Sequence, residues 1–385
     1  MKTYFDVIVL GVGSMGSSTC YYLAKQGYQV LGLEQFDIPH DQGSHSGQSR
    51  IIRKAYFEHP DYVPLLERAY QNWKELEGIT KSQVYFRTSL LYAGKPDDVL
   101  IKGVRESAIK YSLNVEALSA EGTRKRFPAF QIPESYEVLF EPDAGFLTPE
   151  RAVLLYVDQA IRLGATIHTK EKVLGWKKEG DVIEVQTNKG IYHCAKLVIT
   201  AGPWAGQLIP SFERKLTVTR QVIAWVNAKQ PETYALGRFP CWLIDDDTKP
   251  GIYYGFPQLP VAKFGAPIGL KIAFHHPGDV SNPDQVNRII SPKDENDLVS
   301  AMHRFLPNAY ASTHVLKTCL YTNTSDEHFV LDFLPGYDQQ VAMAAGFSGH
   351  GFKFVSVVGE IMADLVANGK TDLPIEFLSA QRFRS

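Results

Sequence analysis

Short runs of apolar residues recur along the chain, separated by longer segments in which apolar residues have helical spacing. The runs at 5–10, 30–33, 196–201 and 341–345 show no alternation with polar residues, which is typical of strands buried on both faces of a parallel sheet. The strand–helix–strand order at the start predicts a βαβ unit. Apolar residues three to four positions apart predict helices over 17–26, 62–76, 97–113, 149–163, 294–305 and 354–368.

Shorter apolar runs bounded by glycine and proline predict a second, antiparallel sheet, with strands at 221–226, 251–256 and 268–274. The segment 124–142 is predicted to be irregular. Because the strands of parallel type lie near the start, near residue 200 and near residue 343, the Rossmann-type part is predicted to be discontinuous. The predicted fold class is α/β, or α+β for the whole chain. We assign residues 1–85, 145–215 and 320–385 to a nucleotide-binding domain. We assign residues 86–144 and 216–319 to an inserted substrate domain.

Composition and charge exclude several classes of protein. The 385 residues carry 40 Lys+Arg against 42 Asp+Glu, for a net charge of −2, which excludes a disordered tail protein and a strongly basic nucleic-acid binder. The four cysteines lie far apart, which predicts neither a metal site nor a disulfide framework. No apolar stretch reaches the roughly 20 residues of a membrane span, and no cleavable leader is evident. We therefore expect a cytoplasmic protein without metal, nucleic-acid or membrane partners.

Residues 11–16 read GVGSMG, a GxGxxG motif between a predicted strand and a predicted helix. In a dinucleotide-binding fold Gly11 permits the tight turn, Gly13 lets the diphosphate approach the backbone, and Gly16 lets the helix pack on the strand. Glu34 lies near the spacing of about 20 residues expected for the acid that binds a ribose. The motif does not choose between FAD and NAD, and the structural alternative is a glycine-rich turn with an exposed Glu34.

The segment 43–50 reads GSHSGQSR and is followed by Arg53. Its small residues allow a ligand to approach the backbone, and Arg50 and Arg53 have the spacing of one helical face. The planar guanidinium binds both oxygens of a carboxylate or two oxygens of a phosphate. The alternative is a solvated basic stretch.

Two further candidates lie in the second half of the chain. Alternation places Lys271, Ala273 and His275 on one face of a strand, where the lysine either faces a cavity or belongs to a polar, half-buried surface. Cys319 is either a small buried hydrophobe or a reactive thiol favoured by nearby Lys317.

Residues 346–354, GFSGHGFKF, form the densest motif in the chain. Three glycines and a serine follow a predicted buried strand and precede a predicted long helix. Such a loop presents backbone N–H groups and the positive end of the helix dipole to a ligand, and Lys353 adds a positive charge. The alternative is a glycine-rich connection with a solvated lysine.

Taken together, these motifs resemble the monomeric sarcosine oxidase and N-methyltryptophan oxidase family, covalent-FAD amine oxidases of the D-amino acid oxidase-like superfamily. The resemblance covers essentially the whole chain, and the arginine run and the last motif are more specific than the glycine fingerprint. The matching stretches are 11–16, 43–56, 62–65 (YVPL), 251–257 (GIYYGFP), 269–271 (GLK), Cys319 through Phe329, and 346–354.

The resemblance implies a role for individual residues. It implies that Cys319 forms a thioether with the 8α-methyl of FAD, that Lys271 activates dioxygen, and that Arg53 and Lys353 bind a substrate carboxylate. It also places Arg50 close to the flavin, where we expect a catalytic contribution. We expect the substrate cavity to be lined by Tyr254, His275 and His350. Tyr254 and His275 are also catalytic candidates. The residues expected to bind the cofactor are Gly11, Gly13, Ser14, Met15, Gly16, Glu34, Ser44, Arg50, Ile51, Cys319, Gly346, Gly349, Gly351, Phe352 and Lys353.

The sequence departs from the family pattern in two places. Ser46 stands where the family has a second histidine, and Gln48-Ser49 replaces an Asp-Thr pair. The segment 258–267 before Lys271 is expected to be longer than in the sarcosine enzymes. Both departures lie next to the expected flavin and substrate sites, so they bear on flavin attachment and on substrate size.

The predicted function is a monomeric flavin-dependent oxidase of N-methyl or other secondary amino acids. Its partners would be a small amino acid and dioxygen, and its products hydrogen peroxide and, from N-methyl substrates, formaldehyde. Within this class, cyclic imino acids such as pipecolate or piperideine carboxylate and N-methyltryptophan remain alternative substrates. Outside it, the alternatives are an NAD-dependent dehydrogenase and a flavin-binding protein without turnover.

Overall fold

The computed structural model describes residues 3–276 and 278–383. Its strands form an eight-stranded sheet, a nine-stranded sheet and a small three-stranded sheet. Helices cover the first sheet on the face that contains Val7 and Val9, whereas Ile8 and Leu10 belong to a second apolar core on the opposite face. The predicted α/β class with a second, mainly antiparallel sheet is confirmed.

The first sheet is built around the strand Tyr4–Leu10, which pairs in parallel with Val30–Leu33 on one side and Ile191–Ile199 on the other. The strand Val341–Ala345 extends this parallel set beyond Ile191–Ile199. Each of these four strands was predicted from its apolar run, because a strand buried on both faces has no polar side. The remaining strands of this sheet are Thr166–His168, Val173–Glu179, Val182–Thr187 and Val330–Phe333.

The helices Ser14–Lys25 and Val355–Asn368 cross closely above the first sheet. A side chain at Gly359 would meet Ser18 Oγ at 2.5 Å, and Ser18 Oγ instead donates to the Val355 carbonyl at 2.7 Å. None of the described helices is long and apolar enough to cross a membrane. The other helices are Val63–Thr80, Val99–Tyr111, Ala120–Arg126, Pro149–Arg162, Ala205–Leu208, Val261–Phe264 and Pro292–Phe305.

The second sheet is antiparallel except where Leu90–Gly94 and Cys241–Asp245 pair in parallel. Its longest pairing joins Thr217–Ala228 to Tyr310–Asn323, which carries Cys319. Its other strands are Glu116–Leu118, Glu137–Glu141, Ile252–Gly255, Leu270–His275 and Asp279–Val280, and the small sheet contains Arg50–Ile52, Tyr85–Arg87 and Gly145–Leu147.

Two local predictions are wrong. The segment 124–142 is not irregular throughout, because it contains the end of the helix Ala120–Arg126 and the strand Glu137–Glu141, which is held between two neighbouring strands, whereas 127–136 contains neither helix nor strand. Arg50 and Arg53 do not share a helical face, because Arg50 begins a strand of the small sheet. The domain boundaries stay a prediction.

Candidate active site

One long cavity runs past the carboxyl ends of the parallel strands, where ligands bind in open α/β sheets. It extends from the first glycine loop to the second sheet and to the loop before the last long helix. Of the predicted site residues, Gly16 and Lys271 do not line it; Gly16 packs the first helix on Gly11, and Lys271 is covered by residues 47–49. The predicted residues that line it are Gly11, Gly13, Ser14, Met15, Glu34, Ser44, Arg50, Ile51, Arg53, Tyr254, His275, Cys319, Gly346, Gly349, His350, Gly351, Phe352 and Lys353.

The first glycine loop has the shape that a diphosphate requires. Gly11 has φ +89°, and a Cβ there would lie 2.8 Å from the Thr200 carbonyl oxygen. Gly13 is the N-cap of the first helix and has no side chain to occupy the helix's free N–H groups. At the end of the next strand, both Glu34 carboxylate oxygens accept backbone N–H groups, from Val12 and Phe36, at 3.0 Å each. These residues fit a bound dinucleotide.

His45 is a cavity residue that sequence reasoning passed over, although it lies in the quoted segment GSHSGQSR. Its Nε2 has no hydrogen-bond partner within the described part of the chain, and its Nδ1 is the nearest atom to a Cβ built on Gly13. Burial lowers the pKa of this imidazole to about 4, so it is neutral at pH 7. A neutral imidazole with a free ring nitrogen beside the glycine loop is a further group able to bind the cofactor.

The second glycine-rich loop forms another wall of the cavity. Gly349 has φ +79° and lies against the Tyr321 ring, where a Cβ would overlap the ring. The loop buries Lys353, whose Nζ donates to the His350 carbonyl at 2.6 Å. Burial and the nearby Arg53 lower the pKa of Lys353 to about 7, a change that Glu58 partly opposes.

Arg53 is buried and paired with Glu58, a residue that the sequence did not single out. Arg53 Nη2 donates to both Glu58 oxygens at 2.7 Å, and its guanidinium lies over the Tyr56 and Phe57 rings at 4.4 and 4.5 Å. Burial alone would raise the pKa of Glu58, but the guanidinium holds it at about 2. The cavity therefore contains an arginine already bound to a carboxylate.

Two histidines complete this end of the cavity in their neutral forms. Burial lowers the pKa of His275 to about 4 and that of His350 to about 3. His350 Nδ1 lies 2.5 Å from Tyr56 Oη, and His275 Nδ1 lies 3.3 Å from Tyr321 Oη. Tyr321 also lines the cavity and was missed, although it stands two residues after Cys319 in a quoted segment.

Lys271 is buried behind the segment 47–49. Its Nζ donates to the carbonyls of Gly47 and Ser49 at 2.6 and 2.7 Å, and it lies 4.5 Å from the centre of the Phe256 ring. Burial, with a further contribution from Arg50, lowers its pKa well below the usual range. Arg50 lies on the cavity side of this segment and donates to the carbonyls of Ser44, Ser46 and Ser49.

Cys319 is buried against Ile223, Trp225 and Ala273 and reaches the cavity wall. Burial raises the pKa of its thiol, and the cations Arg50, Lys271 and Arg288 oppose that rise. Lys317, suggested by the sequence as the activating cation, is exposed. All four cysteines are free and buried, and the described residues contain no group of His, Cys, Asp or Glu suited to a metal ion.

Comparison with known proteins agrees with this geometry. The family model described as FAD dependent oxidoreductase matches residues 6–365. The chain is 38% identical to the monomeric sarcosine oxidase of Bacillus sp. strain NS-129, over 99% of this chain and 98% of that protein. It is 33% identical to the N-methyl-L-tryptophan oxidase of Escherichia coli O81 strain ED1a, over 99% of this chain and 100% of that protein.

Solved structures show the same fold. NikD, an unusual amino acid oxidase essential for nikkomycin biosynthesis, superimposes with a TM-score of 0.85 at 25% identity, covering 98% of each chain. The L-proline dehydrogenase from P. horikoshii gives 0.80 at 21% identity, covering 100% of this chain and 99% of that one. Because the family model spans nearly the whole chain, this protein belongs to the FAD-dependent oxidoreductase family and is similar to the monomeric sarcosine oxidases.

Proposed function

We propose that the protein is an oxidase of secondary amino acids, with N-methyl amino acids as the first substrate class. One observation carries the proposal: two buried cations, Arg53 and Lys353, lie at the end of a cavity that begins at a dinucleotide-binding glycine loop. The names of the similar sarcosine and N-methyltryptophan oxidases support the same class.

FAD is the cofactor of the family, and the two glycine loops, Glu34 and the helix start at Ser14 would hold it. When bound, FAD accepts a hydride from the carbon next to the substrate nitrogen and passes the electrons to dioxygen, giving hydrogen peroxide. Water then hydrolyses the imine product, which yields formaldehyde and a primary amino acid from an N-methyl substrate.

The substrate carboxylate binds to Arg53 and Lys353. Both Glu58 oxygens already accept from Arg53 Nη2, while Arg53 Nη1 donates to the Ala55 carbonyl, so a carboxylate is bound at the place proposed for the substrate. The substrate therefore exchanges with Glu58, and Lys353 supplies the second positive charge. Holding the carboxylate in this way orients the C–H bond next to the nitrogen for transfer.

The neutral histidines and Tyr254 enclose the rest of the substrate. Because His275 and His350 are uncharged at pH 7, they do not compete with Arg53 and Lys353 for the carboxylate. Among cyclic imino acids, pipecolate and piperideine carboxylate satisfy the same carboxylate site and remain the alternative substrates, as does N-methyltryptophan.

Lys271 serves the dioxygen half of the reaction. Its buried ammonium, held by carbonyls and aromatic faces, stabilises negative charge as it develops on dioxygen. Arg50 contributes a second positive charge on the cavity side of the same segment.

Cys319 attaches the cofactor covalently. Forming a thioether would remove one hydrogen from the thiol and one from the 8α-methyl group, and dioxygen, the second substrate, would take up both hydrogens as hydrogen peroxide. The buried thiol beside Arg50, Lys271 and Arg288 supports this role, since nearby cations favour the thiolate.

Denaturing the purified holoenzyme in acid tests the attachment. We expect the yellow colour to remain with the precipitated protein in the wild type and in Cys241→Ser, and to stay in solution for Cys319→Ser. Cys241 is the matched control because it is also buried and also influences Lys271. Colour released from the wild type would contradict the thioether.

Hydrogen peroxide release on a panel of N-methyl and cyclic amino acids tests the reaction. We expect turnover with at least one secondary amino acid and a flavin absorption band in the visible blue. Turnover dependent on added NAD would point to a dehydrogenase, and a flavin spectrum without turnover on the panel would overturn the oxidase. We further propose that the holoenzyme is a monomer, which sedimentation at micromolar concentration tests.

A further inference from the structure

Gln48 is a buried residue with an unusual backbone conformation beside Lys271. It has φ +71° and is 8% exposed. A non-glycine residue in the left-handed region costs energy and persists only where surrounding contacts impose it. The contacts of Gln48 therefore hold its backbone in this conformation.

The side-chain amide of Gln48 uses both of its donors and its acceptor oxygen. Its Nε2 donates to the carbonyls of Gly265 and Pro267 at 3.0 and 3.1 Å, and its Oε1 accepts from Trp225 Nε1 at 3.1 Å. Two donors and one acceptor are thus matched to two carbonyls and one indole N–H. A carboxylate at this position would face both carbonyls without a proton to donate.

The backbone around Gln48 holds Lys271. The N–H groups of Gly47 and Gln48 donate to Glu150 Oε1 at 2.7 and 3.1 Å, whereas the carbonyls of Gly47 and Ser49 accept from Lys271 Nζ on the other side. The segment 47–49 therefore fixes where the ammonium lies, and its own position depends on Gln48.

The two departures from the family pattern meet here. By the resemblance, Gln48 stands where the family has aspartate, and the carbonyls that it binds belong to the segment 258–267, which the resemblance implies is longer than in the sarcosine enzymes. The amide and this segment are chemically matched, since an amide, unlike a carboxylate, supplies donors to both carbonyls. Trp225, the third partner, is also the cross-strand neighbour of Lys271.

We infer that Gln48 is a positioning residue for Lys271: by joining the segment 258–267 and Trp225 to residues 47–49, it sets the ammonium for the reaction with dioxygen. This inference rests on the proposed role of Lys271. The charged or titratable groups that act on Lys271 are Arg50, Glu150, Cys241 and Cys319. Replacing the uncharged Gln48 by another uncharged residue removes none of these groups.

The test compares the two half-reactions of the holoenzyme in a stopped-flow instrument. For Gln48→Met we expect the second-order rate constant with dioxygen to fall roughly tenfold, as a small displacement of a catalytic group does. Anaerobic flavin reduction by substrate should change by less than about twofold, because Gln48 does not line the cavity. As the pH is raised, the dioxygen rate of Gln48→Met should also begin to fall at a lower pH than that of the wild type, since a less firmly held ammonium loses its proton more easily.

Matched variants separate the possible failures. Gln83→Met is the control, because Gln83 also binds the helix Val261–Phe264, through Lys263, but at the exposed side away from Lys271. Trp225→Phe, which removes the indole donor to Gln48 and keeps an aromatic ring, replaces Gln48→Met if that variant does not fold. The double variant Gln48→Met, Lys271→Met should be no slower with dioxygen than Lys271→Met alone.

Two results would overturn the inference. If Lys271→Met slows the dioxygen reaction while Gln48→Met leaves its rate and pH profile unchanged, Gln48 does not position the lysine. If Lys271→Met itself leaves the dioxygen rate unchanged, the role of Lys271 is wrong and the inference falls with it.

Discussion

Two buried cations of the candidate active site, Arg53 in the cavity wall and Lys271 behind the segment 47–49, differ in what holds them. Arg53 is bound by the carboxylate of Glu58, whereas Lys271 is bound by the backbone carbonyls of Gly47 and Ser49. Burial penalises the charge of both. The carboxylate more than compensates Arg53, whose pKa is raised, but the pKa of Lys271 falls well below its usual range.

The difference separates two chemical tasks. A permanently charged guanidinium paired with a carboxylate can exchange that partner for another carboxylate at little electrostatic cost, which is the role proposed for Arg53. An ammonium hydrogen-bonded only to dipoles has no carboxylate bound to it directly, so its charge remains available to a neighbour in which negative charge develops. Lys353 is intermediate, because it is held by a carbonyl but lies within reach of the Glu58 charge.

Removing the dipole-held cation should have the largest effect. For Lys271→Met we expect the rate constant with dioxygen to fall at least about 100-fold, the usual cost of losing one preorganised charge-stabilising group. Anaerobic reduction by substrate should change much less, because the substrate carboxylate is proposed to bind to Arg53 and Lys353 and not to Lys271. Stopped-flow measurement of each half-reaction checks this, and equal losses in both would remove the assigned role.

A site residue is predictable from the sequence when its partners are close to it along the chain. The glycine loops at 11–16 and 346–354 are recognisable because each function is carried by adjacent residues. The pair of Arg53 with Glu58 is not, since a glutamate in a polar segment gives no sign that folding will bury it. The carbonyls that hold Lys271 belong to a segment more than 200 positions away and carry no side-chain signal.

The fold shows the same dependence on range. A fully apolar strand such as Val341–Ala345 is predictable because its own residues indicate burial on both faces. The strand Tyr310–Asn323 has exposed residues over its first half, and it is a strand because it pairs along its length with Thr217–Ala228. That pairing joins segments far apart in the sequence, and it places Cys319 at the cavity.

The intermediate cation should give the next largest effect, as a pH dependence of carboxylate binding. Lys353 has a pKa of about 7, so below that pH it already carries the charge that a carboxylate needs. Above it, binding must take up a proton, and affinity should fall by up to about tenfold per pH unit. Titrating acetate into the holoenzyme between pH 6 and 9 measures the slope.

Two variants sharpen this measurement. Lys353→Gln should bind acetate more weakly at pH 6 and with little dependence on pH. Lys54→Gln should keep the wild-type slope, because Lys54 is next to Arg53 in the chain but does not line the cavity. A steep slope retained in Lys353→Gln would assign the titration to another group.

Breaking the carboxylate pair should give the smallest change in binding, and in the opposite direction. Because Glu58 competes with the ligand for Arg53, Glu58→Gln should bind acetate roughly threefold more tightly, as removal of a competing state does. Without ligand, the variant should unfold at a lower temperature than the wild type, since Arg53 is left buried and unpaired, and saturating acetate should reduce the difference. Asp61→Asn is the control, because it removes a nearby carboxylate that pairs with exposed Lys110 instead. Weaker acetate binding by Glu58→Gln would mean that Glu58 orients Arg53 for the ligand. The proposed contrast between Arg53, whose carboxylate partner exchanges, and Lys271, whose carbonyl partners do not, would then be wrong.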